Sequence, residues 1–351
     1  MNSSLSLEDF IASEKASLSE AMQMIDKNTH GIVFISDEKG VLIASLTDGD
    51  VRRYLLSGGA MNCRAIEAAN NAPKSALSQK EAKKIFHKRD YVVIPIVDKK
   101  GRIVDIYTGD PKEQKLFRES LNVPVVINAG GKGSRLYPLT KVLPKPLIPV
   151  GDLPILELIM KSYLYNGCAD FHIIVNYKKD LIKTYFRENE AHYNIRWYDE
   201  NEPLGTGGGL SLLKKEIHET FFFANCDVLL DSNYAEILKF HKEHHNVITM
   251  VCAYKNFNIP YGVVEIGKDG VIQEMKEKPL ISYLTNTGIY VVEPEVLDDI
   301  QDNISIGFPD IIEYERSKGR RTAVYPVRGN DWMDMGQFPE LEKMRVRLSS
   351  E

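Results

Sequence analysis

The segment that determines the fold is VPVVINAGGKGSR, residues 123–135. Its first half, Val123–Asn128, is a short run of apolar and β-branched residues, which is typical of a strand buried on both faces of a sheet. Its second half is rich in glycine, and the missing side chains let backbone N–H groups approach and surround an anion. The segment therefore predicts a buried strand followed by a phosphate-binding loop.

Strands and helices alternate along the chain after this segment. Apolar runs predict further strands at Phe171–Val175, Ile195–Tyr198, Phe221–Ala224 and Val247–Ala253, and helical patterns lie at Ile155–Asn166, Asp180–Arg187, Gly207–Leu213 and Ala235–His245. This alternation predicts right-handed crossovers and an α/β domain with a doubly wound, mainly parallel sheet. Ligands bind beyond the carboxyl ends of the strands in such sheets. Functional residues are therefore expected just after residues 128, 175, 198 and 226.

Positive charges accompany the predicted phosphate loop. Lys132 and Arg135 lie within it, and Lys145 follows in LPKP at 143–146, where two prolines restrict the chain and hold the lysine in place. The loop matches neither GxGxxG nor GxxxxGKS/T, so a dinucleotide site and a P-loop both lose support. A glycine-rich turn alone also occurs in ordinary strand–helix connections. Its combination with the fixed lysine predicts a phosphate site.

A second glycine-rich segment, EPLGTGGG at 202–209, follows the predicted strand Ile195–Tyr198 and opens a helix. The glycines leave room for a flat group to lie on the backbone, which suits a nucleotide base. The alternative is a flexible loop that simply begins a helix.

Two acidic residues have the sequence context of metal ligands. Asp227 follows the apolar run Phe221–Ala224, and Asp334 stands among apolar residues in WMDMG at 332–336. A buried acid needs a cation or a hydrogen-bond donor, and two carboxylates suit Mg²⁺. The alternatives are helix capping or a loop hydrogen bond for Asp227 and backbone N–H partners for Asp334.

Two short motifs between these acids suit a sugar phosphate. Glu277 and Lys278 precede a proline, and Asn286, Thr287 and Gly288 follow. The lysine offers a second cation, while the amide and hydroxyl groups can hydrogen-bond to a neutral sugar. Neither motif alone indicates a sugar-phosphate site.

The N-terminal third contains an internal repeat with an offset of 61 residues, from Gly40 to Gly101. Each copy predicts a helix, a β-hairpin closed on that glycine and a helix after a threonine. The helices are expected at Ser17–Lys27 and Lys80–Arg89, and the threonines are Thr47 and Thr108. The chain is thus expected to divide into 1–118, with copies at about 1–58 and 59–118, and 122–351.

The composition excludes several classes of protein. The chain has 351 residues, and its 44 Lys+Arg against 49 Asp+Glu give a net charge of −5, which argues against nucleic acid or an anionic membrane as the main partner. Its four cysteines form no CxxC and are expected to be reduced. The first residues lack the features of a signal peptide and no long apolar run follows, so we expect a cytoplasmic location. The histidines, His172 and His241 among them, lack zinc-ligand spacing and are expected to be solvated.

The repeated order of helix, hairpin and helix resembles a tandem pair of CBS (cystathionine β-synthase type) domains, a smaller α+β module. The resemblance implies that Thr47 and Asp50 bind the ribose of a regulatory adenine nucleotide. The second copy departs from the pattern, because Thr108 is followed by Gly-Asp-Pro at 109–111, and the proline breaks the next helical turn. Thr47 and Asp50 also suit a helix N-terminus, and the pair could serve for dimerisation instead of regulation.

The motifs between residues 123 and 345 resemble those of the sugar-1-phosphate nucleotidyltransferases, which have a Rossmann-like fold. The resemblance implies that Arg135 and Lys145 contact the triphosphate and that Asp227 and Asp334 hold Mg²⁺. It implies a nucleotide site formed by Ala129, Gly130, Gly131, Lys132, Gly133, Ser134, Glu202, Gly205, Thr206 and Gly207. It implies a sugar-phosphate site formed by Glu277, Lys278, Asn286, Thr287 and Gly288.

A CBS pair ahead of such a domain is similar to the glucosamine-1-phosphate guanylyltransferases of bacterial legionaminic acid biosynthesis. The similarity implies transfer from GTP to glucosamine 1-phosphate, with release of pyrophosphate. Glu202 is a candidate acceptor for the guanine N1–H and 2-amino group, and the alternative for this residue is a surface charge of the loop. The alternatives are a mannose-1-phosphate guanylyltransferase, a glucose-1-phosphate thymidylyl- or uridylyltransferase, and, outside the enzymes, a nucleotide-sensing regulatory protein. We expect a homo-oligomer formed through either domain.

Overall fold

The computed structural model describes residues 6–86, 93–108, 120–188 and 193–348. The chain forms two compact units, of which the first contains the described residues between 6 and 108 together with 254–285, and the second contains 120–253 with 286–348. The predicted N-terminal domain ends at residue 118, which lies outside the described residues. None of the helices in the described ranges has the length and apolar character needed to cross a bilayer.

The first unit contains the predicted repeat. Its helices and strands up to residue 108 are β1 (Ile11–Ser13), α1 (Leu18–Asn28), β2 (Ile32–Ser36), β3 (Leu42–Thr47), α2 (Asp48–Leu56), α3 (Ala65–Ala68), α4 (Gln79–Phe86), β4 (Val93–Val97) and β5 (Ile103–Thr108). The hairpins β2–β3 and β4–β5 have bounds that differ by 61 residues at every end, and each has a register irregularity at the same place. The offset found in the sequence is therefore confirmed. The helix predicted after Thr108 lies outside the described residues.

The two hairpins meet at their turns. Leu42 N–H donates to the Gly101 carbonyl at 2.9 Å, and Ile103 N–H donates to the Gly40 carbonyl at 3.0 Å. Helix α1 packs beside them because Leu18, Met22 and Ile25 recur at helical spacing and are buried. The two copies thus form one packed structure.

The rest of the chain forms a larger set of elements. They are β6 (Val125–Asn128), α5 (Leu139–Val142), β7 (Pro149–Val150), β8 (Leu153–Pro154), α6 (Ile155–Tyr165), β9 (Asp170–Val175), α7 (Lys179–Arg187), β10 (Asn194–Asp199), β11 (Phe221–Asn225), β12 (Val228–Leu230), α8 (Tyr234–Glu243), β13 (Ile248–Asn258), β14 (Val263–Ile266), β15 (Ile272–Lys276), β16 (Leu280–Val292), α9 (Glu295–Asp298), α10 (Phe308–Ser317), β17 (Thr322–Val327), β18 (Trp332–Asp334) and α11 (Phe338–Leu348). The helix predicted at Gly207–Leu213 is a 3-10 helix, Gly208–Leu213.

A seven-stranded sheet forms the centre of the second unit, in the order β10-β9-β6-β11-β16-β13-β17. Strands β10, β9, β6 and β11 are parallel, β17 is parallel to β13, and β16 runs antiparallel to β11. Alternate residues of β6 enter two different apolar clusters, Val125 and Ile127 on one face and Val126 on the other. The mainly parallel sheet, with its first strand buried on both faces, is confirmed.

The segment 254–285 comprises the end of β13, the hairpin β14–β15 and the start of β16, and it belongs to the first unit. Tyr254 is buried in the same apolar cluster as Leu18 of α1. Ser282 Oγ donates to Ser19 Oγ at 2.7 Å. We call this segment the arm.

Two histidines are buried, and the expectation that they are solvated is wrong. His172 is 1% exposed and His241 is 0% exposed. His172 lies on β9, next to the edge strand β10, and its Nδ1 lies 2.9 Å from the hydroxyl oxygen of Tyr198. His241 lies on the inner face of α8, where polar partners compensate for its burial.

Candidate functional site

A cavity of about 420 Å³ lies at the carboxyl ends of β6, β10 and β11. Its lining comes from the three strand ends and the loops that follow them: Asn128, Gly130, Gly131, Gly133, Ser134, Arg135, Lys145, Glu200, Pro203, Gly205, Thr206, Asn225, Cys226, Asp227 and Gly336. Three of the four positions expected from the sheet topology thus meet at one cavity. The fourth contributes Asn176, whose side chain donates to the Glu200 carbonyl at 3.0 Å.

Asn128 joins the two glycine-rich loops. Its Oδ1 accepts from Gly130 N–H at 3.3 Å, within the phosphate loop (residues 129–135). Its Nδ2 donates to the carbonyls of Gly205 and Thr206 at 3.2 and 3.3 Å, within the base loop (residues 203–208). Asn128 therefore fixes the spacing of the two loops, a role that its place at the end of a strand does not reveal in the sequence.

The phosphate loop packs directly against Lys145. Gly133 has φ 64°, and a Cβ there would lie 2.8 Å from Thr140 Cγ2 and 3.0 Å from Lys145 Cβ. Only glycine combines this conformation with so close an approach. Arg135 follows on a 3-10 helix, is exposed and lines the cavity. Two cationic side chains therefore stand at the cavity, while Lys132 is exposed outside the lining and Ala129 is buried.

The two candidate metal ligands come together through the short ladder β12–β18. Val228, next to Asp227, pairs with Asp334, and Met335 N–H donates to the Asp227 carbonyl at 3.0 Å. Lys145 Nζ donates to Asp227 Oδ2. Burial alone lowers the pKa of Lys145, but the carboxylates of Asp227 and Asp334, with Cys226, outweigh burial and raise that pKa. Lys145 is therefore protonated, and positively charged, at neutral pH.

The pair Asp227 and Asp334 fits Mg²⁺ by its chemistry, because Mg²⁺ takes oxygen ligands and binds through one or two carboxylates while it keeps several waters. Asp227 lines the cavity, and Asp334 Oδ1 accepts from Gly336 N–H at 2.6 Å. Within the described ranges, no cluster of three or more His, Cys, Asp or Glu side chains offers a further metal site.

Glu200 is a second acid of the cavity lining besides Asp227, and the sequence interpretation missed it. It follows β10, is 3% exposed, and its Oε1 has no hydrogen-bond partner among the described residues. A Cβ at Gly130 would lie 2.7 Å from its Oε2, and a Cβ at Gly209 would lie 2.5 Å from its Oε1. Burial raises the pKa of Glu200 to about 7. The carboxyl group of Glu200 thus lies between Gly130 and Gly209, and the residue contributes to the lining of the cavity.

The residues predicted around the base occupy different places. Glu202 is exposed and outside the cavity lining, whereas Gly205 and Thr206 line it. Gly207 is buried, and its N–H donates to the Ile306 carbonyl at 3.0 Å. The base loop thus presents Gly205 and Thr206 to the cavity and anchors itself through Gly207.

The residues predicted to bind the sugar phosphate are distributed over both units. In the second unit, Asn286 Nδ2 donates to Tyr290 Oη at 2.7 Å, and the buried Thr287 donates from Oγ1 to the Val251 carbonyl at 2.8 Å. A Cβ at Gly288 would lie 2.5 Å from Nδ2 of Asn225, which lines the cavity. Gly288 therefore adjoins the site. Glu277 and Lys278 follow β15 in the arm and belong to the first unit.

Thr47 and Asp50 form a capping box at the start of α2. Asp50 N–H donates to Thr47 Oγ1 at 3.2 Å, Thr47 N–H donates to Asp50 Oδ2 at 2.9 Å, and Arg53 pairs with Asp50 Oδ1. The helix-capping role that the sequence offers as the alternative is therefore realised.

Family models match both parts of the chain. A family model described as "Nucleotidyl transferase" matches residues 124–351, and a model described as "CBS domain" matches residues 5–57, the first predicted copy. The mannose-1-phosphate guanyltransferase of Schizosaccharomyces pombe is 34% identical over 232 residues, and mannose-1-phosphate guanyltransferase beta-B of Xenopus laevis is 34% identical over 220 residues. Each match covers 60% of this chain, and the chain spans about 60% of the length of these curated relatives.

A solved structure shows the same fold. HddC from Yersinia pseudotuberculosis superimposes with a TM-score of 0.52 and 22% sequence identity, over 64% of this chain and 99% of that chain. The similarity supports the α/β fold of the second unit.

Proposed function

The chain belongs to the nucleotidyl transferase family, and from this premise we propose that it transfers a guanylyl group from GTP to a hexose 1-phosphate with release of pyrophosphate. The curated relatives support guanine as the base, because both are named guanyltransferases. The observation that carries the proposal is Glu200, the buried carboxylate in the nucleotide cavity.

Guanine complements Glu200 better than the other bases do. Its Watson–Crick edge presents two adjacent donors, N1–H and the 2-amino group, and a carboxylate offers two acceptor oxygens. Uracil and thymine present one donor between two carbonyl oxygens, which a carboxylate would repel. Adenine and cytosine each present one donor beside an acceptor. We therefore assign guanine recognition to Glu200 in place of Glu202.

The basic residues of the site suit the transfer of a nucleotidyl group between two anions. In this reaction an oxygen of the hexose phosphate attacks the α-phosphorus, a new P–O bond forms, and the bond to the leaving pyrophosphate breaks. Arg135 and Lys145 offset the repulsion between the anions and the charge that develops in the transition state. The phosphate loop contributes backbone N–H groups and holds the nucleotide against Lys145.

Asp227 and Asp334 would hold Mg²⁺, which neutralises phosphate charge when it is bound. Lys145 is paired with Asp227, so its ammonium group stands next to the same carboxylate. The lysine thereby orients Asp227, and its positive charge offsets the negative charge of that carboxylate. We propose that Gly288 contributes to the hexose phosphate site beside the cavity, and Glu277 and Lys278 stay candidate ligands of the sugar phosphate.

Two acceptors are supported by different observations. A CBS domain ahead of the transferase supports glucosamine 1-phosphate, as in the guanylyltransferases of legionaminic acid biosynthesis. The names of the relatives support mannose 1-phosphate. An adenine nucleotide at Thr47 and Asp50 would have to displace their capping interactions, and homo-oligomer formation through either unit stays part of the proposal.

The test is a crossed assay of Mg²⁺-dependent pyrophosphate release. GTP, UTP, dTTP, CTP and ATP are each combined with the 1-phosphates of glucosamine, N-acetylglucosamine, mannose and glucose, with and without AMP to occupy a regulatory site. We expect turnover with GTP and one hexose phosphate, and the hexose decides between the two acceptors. Turnover with UTP or dTTP in place of GTP would refute the guanine assignment, and no turnover in any combination would favour a nucleotide-sensing protein.

A further inference from the structure

A second cavity, of about 360 Å³, lies in the second unit between α10 and residues 299–306, which follow α9. Four isoleucines between residues 300 and 311 form an apolar wall, and Asp299, Asp310 and Glu315 contribute carboxyl groups. A mostly apolar cavity with a few converging polar groups is the usual form of a small-molecule site. We call it the α10 cavity.

Glu315 is the polar group with unused capacity in this cavity. It is 0% exposed, and Arg320 Nη1 donates to its Oε2 at 2.8 Å. Its Oε1 is buried with no hydrogen-bond partner in the part of the chain that the structure describes. A buried acceptor that lacks a donor is unfavourable, and a ligand that supplies the donor would remove this penalty.

The charged side chains that line the α10 cavity are all acidic, and two of them, Asp299 and Glu315, pair with basic side chains outside the lining. Asp299 accepts from Lys318 and Arg320 at 2.6 and 2.7 Å, and Asp310 accepts from Gly307 N–H at 3.2 Å. Among the described residues that line the cavity, three are acidic and none is basic. A ligand with an apolar body and a primary ammonium group matches both the isoleucine wall and Glu315.

The wall of the α10 cavity is hydrogen-bonded to the base loop. Ile306 N–H donates to the Leu204 carbonyl at 3.0 Å, and Gly207 N–H donates to the Ile306 carbonyl at 3.0 Å. Phe308 N–H donates to Thr206 Oγ1 at 2.9 Å. A ligand that moves or fixes this wall therefore changes the position or freedom of the loop that borders the nucleotide cavity.

We propose that the α10 cavity is a second small-molecule site, which binds a primary ammonium compound with an apolar body through Glu315 and is linked to nucleotide binding through the base loop. The binding step does not depend on the proposed transferase activity, so the two can fail separately.

The binding test uses benzylammonium as the probe and saturation-transfer NMR on the full chain at pH 7. Benzyl alcohol and benzoate serve as neutral and anionic controls. Ile304 is 48% exposed and lines the cavity, so Ile304→Trp fills it with little risk to folding, while Leu181, also 48% exposed but on α7, provides the matched control Leu181→Trp. We expect benzylammonium to bind the wild type and Leu181→Trp equally, and to bind Ile304→Trp and Glu315→Gln at least about tenfold more weakly.

Equal binding of benzylammonium to Ile304→Trp and to the wild type would overturn the proposal, as would benzoate binding as well as benzylammonium, or no binding of the probe to the wild type. Linkage is measured as the KM for GTP with and without saturating benzylammonium. We expect a change of about twofold or more that is absent in Ile304→Trp. An unchanged KM in the wild type would overturn the link to the base loop.

Discussion

Glu200 combines deep burial with an oxygen that lacks a hydrogen-bond partner within the described ranges. Its carboxyl group fits there because Gly130 and Gly209 have no side chains that would collide with it. A protein that places an acid in such a position sacrifices stability, since desolvation penalises the ionised form. The proposed guanine donors would offset part of this cost when the nucleotide binds.

The pKa of Glu200 predicts a pH dependence of GTP use. Because burial raises this pKa to about 7, the carboxylate that accepts from guanine predominates only above that pH. We expect kcat/KM for GTP, which reports ionisations of the free enzyme, to rise from pH 6 to pH 8 and then to level off. The Glu200→Gln variant should lack this rise. An identical rise in the variant would contradict the assignment.

The same ionisation should appear in thermal unfolding. The folded-state pKa of Glu200, about 7, exceeds its ordinary value of 4.5, so the unfolded chain releases this proton at lower pH than the folded one. The stability contributed by the protonated group is therefore present below about pH 4.5 and is lost as the pH rises towards 7. Glu200→Gln should accordingly raise Tm relative to the wild type at pH 8 but not at pH 4.5.

Lys145 and Arg135 should each contribute to turnover through charge. We expect Lys145→Ala or Arg135→Ala to lower kcat by about 10²–10³, the loss found when one preorganised electrostatic donor is removed. Lys141 is an exposed lysine of α5 outside the cavity lining, so Lys141→Ala is the matched control. Steady-state kinetics check the comparison. Near-full activity of either site variant would remove that residue from the mechanism.

At this scale the sequence identified two basic residues that line the cavity, Arg135 and Lys145, but not Glu200, the proposed base acceptor. Lys145 was recognisable because two prolines restrict its position, and the structure pairs it with Asp227. The sequence analysis considered Glu202, which directly precedes the proline and glycines of the base loop, and did not consider Glu200. Which of two acids faces the cavity depends on where β10 ends, and Glu200 N–H still donates to the Val175 carbonyl at 2.9 Å beyond that end. The spacing of the motifs does not show at which residue β10 ends, and therefore does not show which acid lines the cavity.

Among the secondary-structure elements, α8 is attached to the sheet by a buried polar group. Nδ1 of His241 lies 2.8 Å from Thr249 Oγ1 on β13, and its Nε2 lies 2.9 Å from Glu293 Oε1 after β16. Thr220 also donates to that carboxylate oxygen, at 2.8 Å. His241 thus has one polar partner on β13 and one directly after β16, and its buried ring also fills space in the core.

Removal of this histidine should destabilise the second unit. His241→Ala leaves a cavity and deprives Thr249 and Glu293 of a partner, so we expect a loss of about 2–4 kcal/mol in the free energy of unfolding. Urea denaturation measures it. His244, the residue directly after α8, is exposed, and His244→Ala should change stability by less than about 1 kcal/mol. Equal effects of the two substitutions would contradict the role of His241.

The strands were predictable and the orientation of α8 was not predicted. Runs such as Phe221–Ala224 are apolar throughout and therefore have to be buried on both faces, which fixes them as central strands. The error over His241 came from its polarity. Its spacing contained the correct signal, because Ile237 precedes it by four residues and is also buried.

At the scale of the whole molecule, the arm is a segment of the transferase sequence that belongs to the first unit. Tyr254 is buried in the apolar cluster of the N-terminal repeat, and Ser282 bonds to Ser19 of α1. The arm also carries Glu277 and Lys278, the candidate ligands of the sugar phosphate. The stability of the repeat should therefore influence the arm.

Hydrogen exchange on the full chain tests this dependence. Leu18 is 0% exposed and shares the cluster with Tyr254, so Leu18→Ala should remove about 2–5 kcal/mol of packing. We expect faster exchange in 254–285 as well as in the repeat, with β6 as the internal reference. Leu77, which is 66% exposed, gives the control Leu77→Ala. Faster exchange confined to the repeat would contradict the shared unit.

The sequence could not predict the arm because nothing local distinguishes it. The predicted domains, 1–118 and 122–351, follow the order of the chain, whereas the arm joins the first unit through contacts between residues more than 200 positions apart. The repeat and the order of strands were predictable because they depend on local pattern and on general rules of sheet connection.

The most direct test of the central claim compares GTP with ITP, which lacks the 2-amino group, in the wild type, Glu200→Gln and Glu202→Gln. If Glu200 accepts from the 2-amino group, the wild type and Glu202→Gln should prefer GTP in kcat/KM by about tenfold or more. Glu200→Gln should lose that preference, because an amide offers only one acceptor oxygen. The same preference for GTP in Glu200→Gln as in the wild type would contradict the account.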